Sequence, residues 1–364
     1  MAGEFHTDKA IVVASDYTSH SVMSATPVET VKSVLSRMGA TVEEGLPKDV
    51  YLMLLHDEFC EDQTRILHML SGDMLHFLVQ VWDNEEMFMD DLHWNYMEYL
   101  QIFGLLTYRR GNPVTKEPNK IYVIEEMKDR FYFLLKSKKS RGTMKMYDEW
   151  EKIIIGMMYV YGFMKTDTLY EQFLKISSSV VSYEEFLMFL KGRCALWSFG
   201  NILQDVHQKN QYFQYHGVKN PDLLMMYLRE RADLDYKKFS RKELIELCET
   251  GGINNGWPGL GELAGLLFND VRMNYYEVNV TVRSFVERVQ NGEEAETLEK
   301  ELESIHFSSR ERAEEAATFL NRFSENIPVF ELKGYSRKEY RGLFHEKQLK
   351  KKQNLFTIIP GGKE

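Results

Sequence analysis

The sequence predicts a mainly α-helical fold: tandem winged-helix-like modules with short β-wings, followed by an all-helical C-terminal region. Three observations carry this reading. Apolar residues recur at helical spacing over most of the 364 residues. Twice, a group of helices gives way to two short β-type runs flanking a polar, turn-forming stretch, the layout of a winged helix, itself a helix-turn-helix variant. From Asn220 onward no strand pair interrupts the helices.

Taken in order, residues 1–24 are polar, rich in Ser and Thr, and read as an arm. Thr26-Pro27-Val28-Glu29 has the form of a capping box with Pro at the first helical position, and Val31, Val34, Leu35 and Met38 follow at helical spacing before Gly39. This predicts a short docking helix, so that 1–45 is an arm plus a helix. The first module spans 46–135. Its helical pattern runs through Leu52, Leu55, Ile66, Leu70, Leu75 and Leu78 to a longer helix with Phe88, Leu92, Tyr96 and Leu100, ended at Gly104. Leu105–Tyr108 and Ile121–Ile124, around Gly111-Asn112-Pro113, then read as a hairpin. Met127, Phe131 and Leu134 resume a helix. Lys136-Ser137-Lys138-Lys139-Ser140-Arg141-Gly142 reads as a flexible basic linker.

The second module, 146–220, opens with the amphipathic run Tyr147, Trp150, Ile154, Met157 and Tyr161. Boxes at Thr168–Glu171 and Ser182–Glu185 start two further helices, and strands are expected at Ala195–Phe199 and Tyr212–Tyr215. A helical domain, 221–334, follows, with a box at Ser240–Glu243 and helices over Leu260–Asn269, Glu277–Gln290, Glu293–Ile305 and Glu311–Phe323. The last segment, 335–364, is a basic tail: Lys333 to Lys352 holds eight bases against two acids.

Composition narrows the function. With 44% hydrophobic and 27% charged residues, the chain can bury real cores and is not disordered as a whole. No run of about 18 apolar residues predicts a membrane span. Met1–Val12 lacks the pattern of a secretory signal. Cys60, Cys194 and Cys248 lie far apart, with neither zinc spacing nor a disulfide framework, which fits a reducing cytoplasm.

Net charge is −10, but its placement says more. His56 to Glu98 holds eleven acids and one base, whereas Arg109 to Lys145 holds eleven bases and four acids. Glu85, Glu86, Asp90, Asp91 and Glu98 form an expected acidic partner-binding face. Arg109, Arg110, Lys116 and Lys120 of the wing, with Lys138, Lys139 and Arg141 of the linker, form an expected phosphate-binding set. The helices in recognition position, 85–103 and 183–192, are acidic or nearly neutral, and duplex phosphate repels such helices.

Catalytic signals are few. His56 and Cys60 share a helix face at i,i+4, but no second ligand pair completes a four-ligand site. Gly259-Leu260-Gly261-Glu262-Leu263-Ala264-Gly265 lacks the preceding strand of a dinucleotide fingerprint and reads as a closely packed helix start. Gly-x-Ser-x-Gly, His-Glu-x-x-His and Walker patterns are absent. The 19 methionines read mainly as core.

One stretch carries a family likeness. Tyr227-Leu228-Arg229-Glu230-Arg231, the run from Phe239 to Glu246, Asn326-Ile327-Pro328 and the run from Phe330 to Ser336 together resemble the helical region of uncharacterised bacterial proteins that carry a SEC-C zinc motif. The likeness covers about 120 residues at motif level and implies helical, winged-helix-like material upstream. A SEC-C zinc site needs a Cys-x-Cys and a further Cys pair or Cys-His. No cysteine follows Cys248, so no metal is carried over.

The expectation is a non-catalytic interaction or regulatory protein that acts on a protein partner, without cofactor or metal. The alternatives are a regulator that grips nucleic-acid phosphate through wing and linker, and an enzyme whose site is not visible in sequence.

Overall fold

The computed structural model describes residues 17–60, 63–83, 91–112, 114–115, 119–195, 199–204, 210–343 and 345, and the backbone of 11–14; residues 59, 60, 91 and 92 are described as backbone alone. The protein is mainly helical, with a few short strands in small sheets. Among the described residues no helix is long and apolar enough to cross a membrane. The chain divides into two compact units, Met1–Glu151 with Lys165–His216, and Lys152–Met164 with Gly217–Glu364.

The first unit opens with β1 (Ile11–Ala14) and α1 (Ser19–Ala25), where the sequence suggested an unstructured arm. Thr18 caps α1 in a full capping box with Ser21, and Val22 and Met23 are buried. Helix α2 (Val28–Arg37) follows. Its expected cap is corrected: Pro27 occupies the cap position, and Thr26 closes α1 instead. Next come α3 (Lys48–Cys60), α4 (Ile66–Met69), α5 (Gly72–Trp82) and α6 (Asp91–Ile102). The expected hairpin is present as β2 (Leu106–Arg109) and β3 (Lys120–Val123), antiparallel, with β1 added in parallel on the far edge of β3.

The expected flexible linker is not one. Helix α7 (Glu125–Lys136) is followed after Ser137 by α8 (Lys138–Tyr161). The Ser137 hydroxyl accepts the Ser140 N–H at 3.0 Å, and Ser140 is buried. Lys138, Lys139 and Arg141 therefore stand in the first turn of a long helix, and α8 passes from the first unit to the second at Lys152.

After β4 (Phe163–Lys165) the first unit continues with α9 (Thr166–Ile176), α10 (Tyr183–Cys194), β5 (Asn201–Gln204) and β6 (Gln211–Gln214), β5 and β6 pairing antiparallel. Helix α9 begins at Thr166 after Lys165, so the expected box at Thr168–Glu171 does not cap it. Ser182 caps α10 as expected, its hydroxyl accepting the Glu185 N–H. The expected strand Ala195–Phe199 falls on residues 196–198, which lie outside the described residues, and β5 follows at Asn201–Gln204. The two halves of this unit interlock. The Arg37 guanidinium at the end of α2 donates to the Cys194 and Ala195 carbonyls at 3.2 and 3.0 Å, and the Gln204 amide donates to the Gly39 carbonyl at 3.0 Å.

The second unit contains α11 (Pro221–Glu230), α12 (Arg241–Glu249), α13 (Leu260–Asn269), α14 (Tyr275–Gln290), α15 (Ala295–Leu302) and α16 (Arg310–Asn326), then a single 3-10 turn at Phe330–Leu332. Its core is built from Leu263, Leu267, Val282, Phe285, Leu298, Leu320 and Phe323. The glycine-rich start of α13 fits its packing reading only at Gly259. That residue is left-handed (φ +91°), and a Cβ there would collide with the Phe319 carbonyl of α16; Gly261 and Gly265 face open space.

Candidate functional site

The hairpin brings together one residue from each expected charge set. Helix α6 ends close to β2, and the Arg110 guanidinium lies 3.3 Å from the Glu98 carboxylate. The same guanidinium sits 5.3 Å above the Trp94 ring, which meets Tyr108 edge-on at 5.3 Å. Burial first, and then the Glu98 charge, pushes the Tyr108 hydroxyl above its ordinary range. Arg109 stands directly opposite Lys120 in the antiparallel register. Strand alternation sorts these side chains, since Leu106, Ile121 and Val123 are buried. Thr107, Arg109, Lys120 and Tyr122 therefore occupy the opposite face, where Tyr17 meets Tyr122 edge-on at 5.5 Å.

The remaining basic residues do not join this group. Lys138, Lys139 and Arg141 are exposed at the start of α8, beyond the twelve residues of α7, about 18 Å of helix at 1.5 Å per residue. Lys136 is bound to Asp83 at 2.9 Å and to the Tyr132 hydroxyl at 2.8 Å. Of the expected acidic face, Glu98 is described in full and Asp91 as backbone; Glu85, Glu86 and Asp90 lie outside the described residues, as does Lys116 of the wing.

Helix α10, the expected recognition helix of the second module, buries one face. Phe186, Phe189, Leu190, Arg193 and Cys194 are buried, and α10 lies along α4. Gly192 makes this possible, because a Cβ there would lie 2.6 Å from the His68 carbonyl. Ionisable groups line the seam. Arg193, fully buried, has Nε 3.1 Å from Glu151 and Nη2 3.5 Å from Asp148, while the Tyr147 hydroxyl meets His68 Nε2 at 2.9 Å. Burial raises the Glu151 carboxyl, against the pull of Arg193, and raises the Cys194 thiol. Arg193 fastens α10 to α8, and Tyr147 fastens α8 to α4.

The second unit carries an exposed cluster that periodicity did not flag as functional. Tyr275 and Tyr276, 78% and 75% exposed, open α14, while Phe268 near the end of α13 and Val280 one turn along α14 are also exposed. The sequence held a signal. Val278, Val282, Phe285 and Val289 face the core, and at roughly 100° per residue Tyr276 and Val280 fall on the opposite side of α14. Between the two helices Arg272 holds a left-handed backbone (φ +61°), a conformation that helix ends usually assign to Gly or Asn. A cleft of about 450 Å³ in the same unit is lined by Lys219, Tyr227, Arg288, Asn291, Glu293 and Phe330. There Arg288 is bound to both Glu293 and Glu301.

Among the described residues no group of three or more His, Cys, Asp or Glu side chains is gathered to hold a metal. No protein-family model, curated protein or solved structure matches this chain.

Proposed function

We propose that this protein is a non-catalytic interaction protein that acts on a protein partner through its helical surfaces. The observation that carries this is the α13–α14 corner, where Phe268, Tyr275 and Tyr276 stand exposed beside the left-handed Arg272. Aromatic and arginine side chains dominate binding energy at protein interfaces. A left-handed non-glycine residue costs on the order of 1–3 kcal/mol, a strain that tends to be kept at functional positions.

The first unit fits the same reading. Within it we read α9, α10, β5 and β6 as the winged-helix-like part of the expected module 146–220, on their connection order of two helices followed by an antiparallel strand pair. Its recognition helix is turned inward onto α4, which favours use as a packing scaffold over insertion into a DNA groove. The hairpin after α6 repeats the last part of this order.

The test is affinity capture from source cytoplasm with nuclease present. It compares the native chain with Tyr275→Ser/Tyr276→Ser and with Glu98→Lys. The reading requires a protein that the native chain and Glu98→Lys retain and the double tyrosine variant loses. Retention by the tyrosine variant overturns the corner as the contact, and loss only with Glu98→Lys moves it to the acidic helix.

A further inference from the structure

The outward face of the β2–β3 hairpin presents a combination that the protein-binding reading leaves unused. Its described residues, 106–112, 114–115 and 119–123, hold three bases, Arg109, Arg110 and Lys120, and no acid. Arg110 is engaged by Glu98 and Trp94. The register places Arg109 and Lys120 side by side on the outward face, with Tyr122 next along β3 and Tyr17 against it. Residues two apart on a strand are about 7 Å from one another, so cation and ring follow at nearly the spacing of successive nucleotides in an extended strand. Tyr17 is 52% exposed, leaving ring surface open to solvent.

We propose that this face binds single-stranded nucleic acid, with bases stacked on Tyr17 and Tyr122 and phosphates held by Arg109 and Lys120. The charge is complementary to a phosphate backbone, and the rings give the choice of strand. An unpaired base offers its π-face to a tyrosine, whereas a duplex keeps its base faces stacked internally except at its ends. Helix α10 of the same unit buries Phe186, Phe189 and Leu190 and lies along α4. An acidic peptide satisfies the two cations but gives the rings nothing to stack on. This proposal rests on the first unit alone and is independent of the α13–α14 corner.

Fluorescence anisotropy with the full-length protein tests it, using labelled dT20, an abasic 20-mer of the same charge and a 20-base-pair duplex. The native protein is expected to bind dT20 about 5- to 150-fold more tightly than the abasic strand, the range for one stacked base. Log affinity against log salt should have a slope of about −1.4, for two phosphates on a single strand. Tyr17→Ala, a change at an exposed ring, should reduce the preference for dT20 over the abasic strand without flattening the salt slope. Arg109→Gln/Lys120→Gln should flatten the slope and keep the preference. Circular dichroism on each variant confirms the folded state. Equal binding of dT20, abasic strand and duplex overturns the proposal, because it shows phosphate contact without stacking. Absence of dT20 binding by the folded native protein overturns it, as do affinities that neither variant changes. Displacement of dT20 by polyglutamate at a lower charge concentration than by unlabelled dT20 assigns the face to an acidic protein instead and also overturns it.

Discussion

Glu98 and Arg110, assigned by charge patterning to opposite binding surfaces, face each other at 3.3 Å. The steep swing of charge between the acidic helices and the basic hairpin is thus partly closed within the fold. The register of the same hairpin sets Arg109 opposite Lys120 on the outward side of the sheet, a proximity that does not follow from sequence distance.

Both partners of the pair are more than half exposed, at 57% and 65%. Glu98→Gln is therefore expected to change stability by less than about 1 kcal/mol, the range for solvent-exposed ion pairs. It also releases Arg110, so dT20 affinity should rise while the urea midpoint stays close to that of the native protein. A large fall in the midpoint would show that Glu98 does more than neutralise Arg110.

Much of the helical pattern was legible because it is strongly periodic and well capped. The box at Ser240 is made, with the Ser240 N–H donating to Glu243 and the Glu243 N–H to the Ser240 hydroxyl. Local chemistry misled where it lacked tertiary context. The Lys- and Ser-rich stretch after Lys136 looks like a linker, yet Lys and Arg are good helix formers and Ser137 supplies the cap that starts α8. Helix α1 escaped because its Ser-rich seven residues bury only Ser19, Val22 and Met23, too short a run to show a period. The Tyr275–Tyr276 corner escaped for a different reason. An exposed aromatic and a core aromatic are the same letter until the register of the helix is fixed by its buried valines.

Trp150 lies where the apolar stripe of α8 places it. It is 1% exposed, meets Tyr147, Phe173 and Phe189 at ring separations of 5.2–5.5 Å, and donates its indole N–H to the Ser179 hydroxyl at 3.0 Å. Trp150→Ala should destabilise the first unit by about 3–5 kcal/mol, through lost transfer energy and the cavity left behind. Ser179→Ala removes only the hydrogen bond and should cost about 1 kcal/mol. Chemical denaturation followed by circular dichroism reads both, and equal effects would show that packing around the indole contributes little.

The α7–α8 junction should resist proteolysis despite its density of lysines and arginines. Its backbone is committed to helix on both sides, with the Ser137 N–H bound to the Leu134 carbonyl and the Arg141 N–H to the Ser137 carbonyl. Cleavage requires about ten residues in extended form, which here means opening two helices. Limited trypsin digestion, run until a reduced casein control is consumed, should leave the bonds after Lys136, Lys138, Lys139 and Arg141 intact. Early cleavage at those bonds, located by mass spectrometry, would restore the linker reading.

Asp83 closes α5 and ties it to α7, accepting hydrogen bonds from the Tyr132 hydroxyl at 2.6 Å and the Lys136 ammonium at 2.9 Å. Burial alone would raise its carboxyl, but these two partners hold it below the ordinary aspartate value of 3.8. A carboxyl depressed in the folded state binds protons more readily when unfolded. Its stabilising contribution is therefore complete above the ordinary value and is lost as pH falls through the lower, folded one. Lys136 has the opposite sign. Its pKa is raised above 10.5 by the Tyr132 hydrogen bond and by Asp83, so its contribution holds below that value and disappears only at higher pH. The native chain should accordingly exceed Asp83→Asn in stability by a constant margin from about pH 5 to about pH 9, and the margin should shrink as the solution is acidified below about pH 4. Urea titrations of both proteins across this range measure it. A margin that instead grows on acidification would mean that burial outweighs the Tyr132 and Lys136 contacts and that Asp83 is a strained carboxylate rather than the tie between α5 and α7.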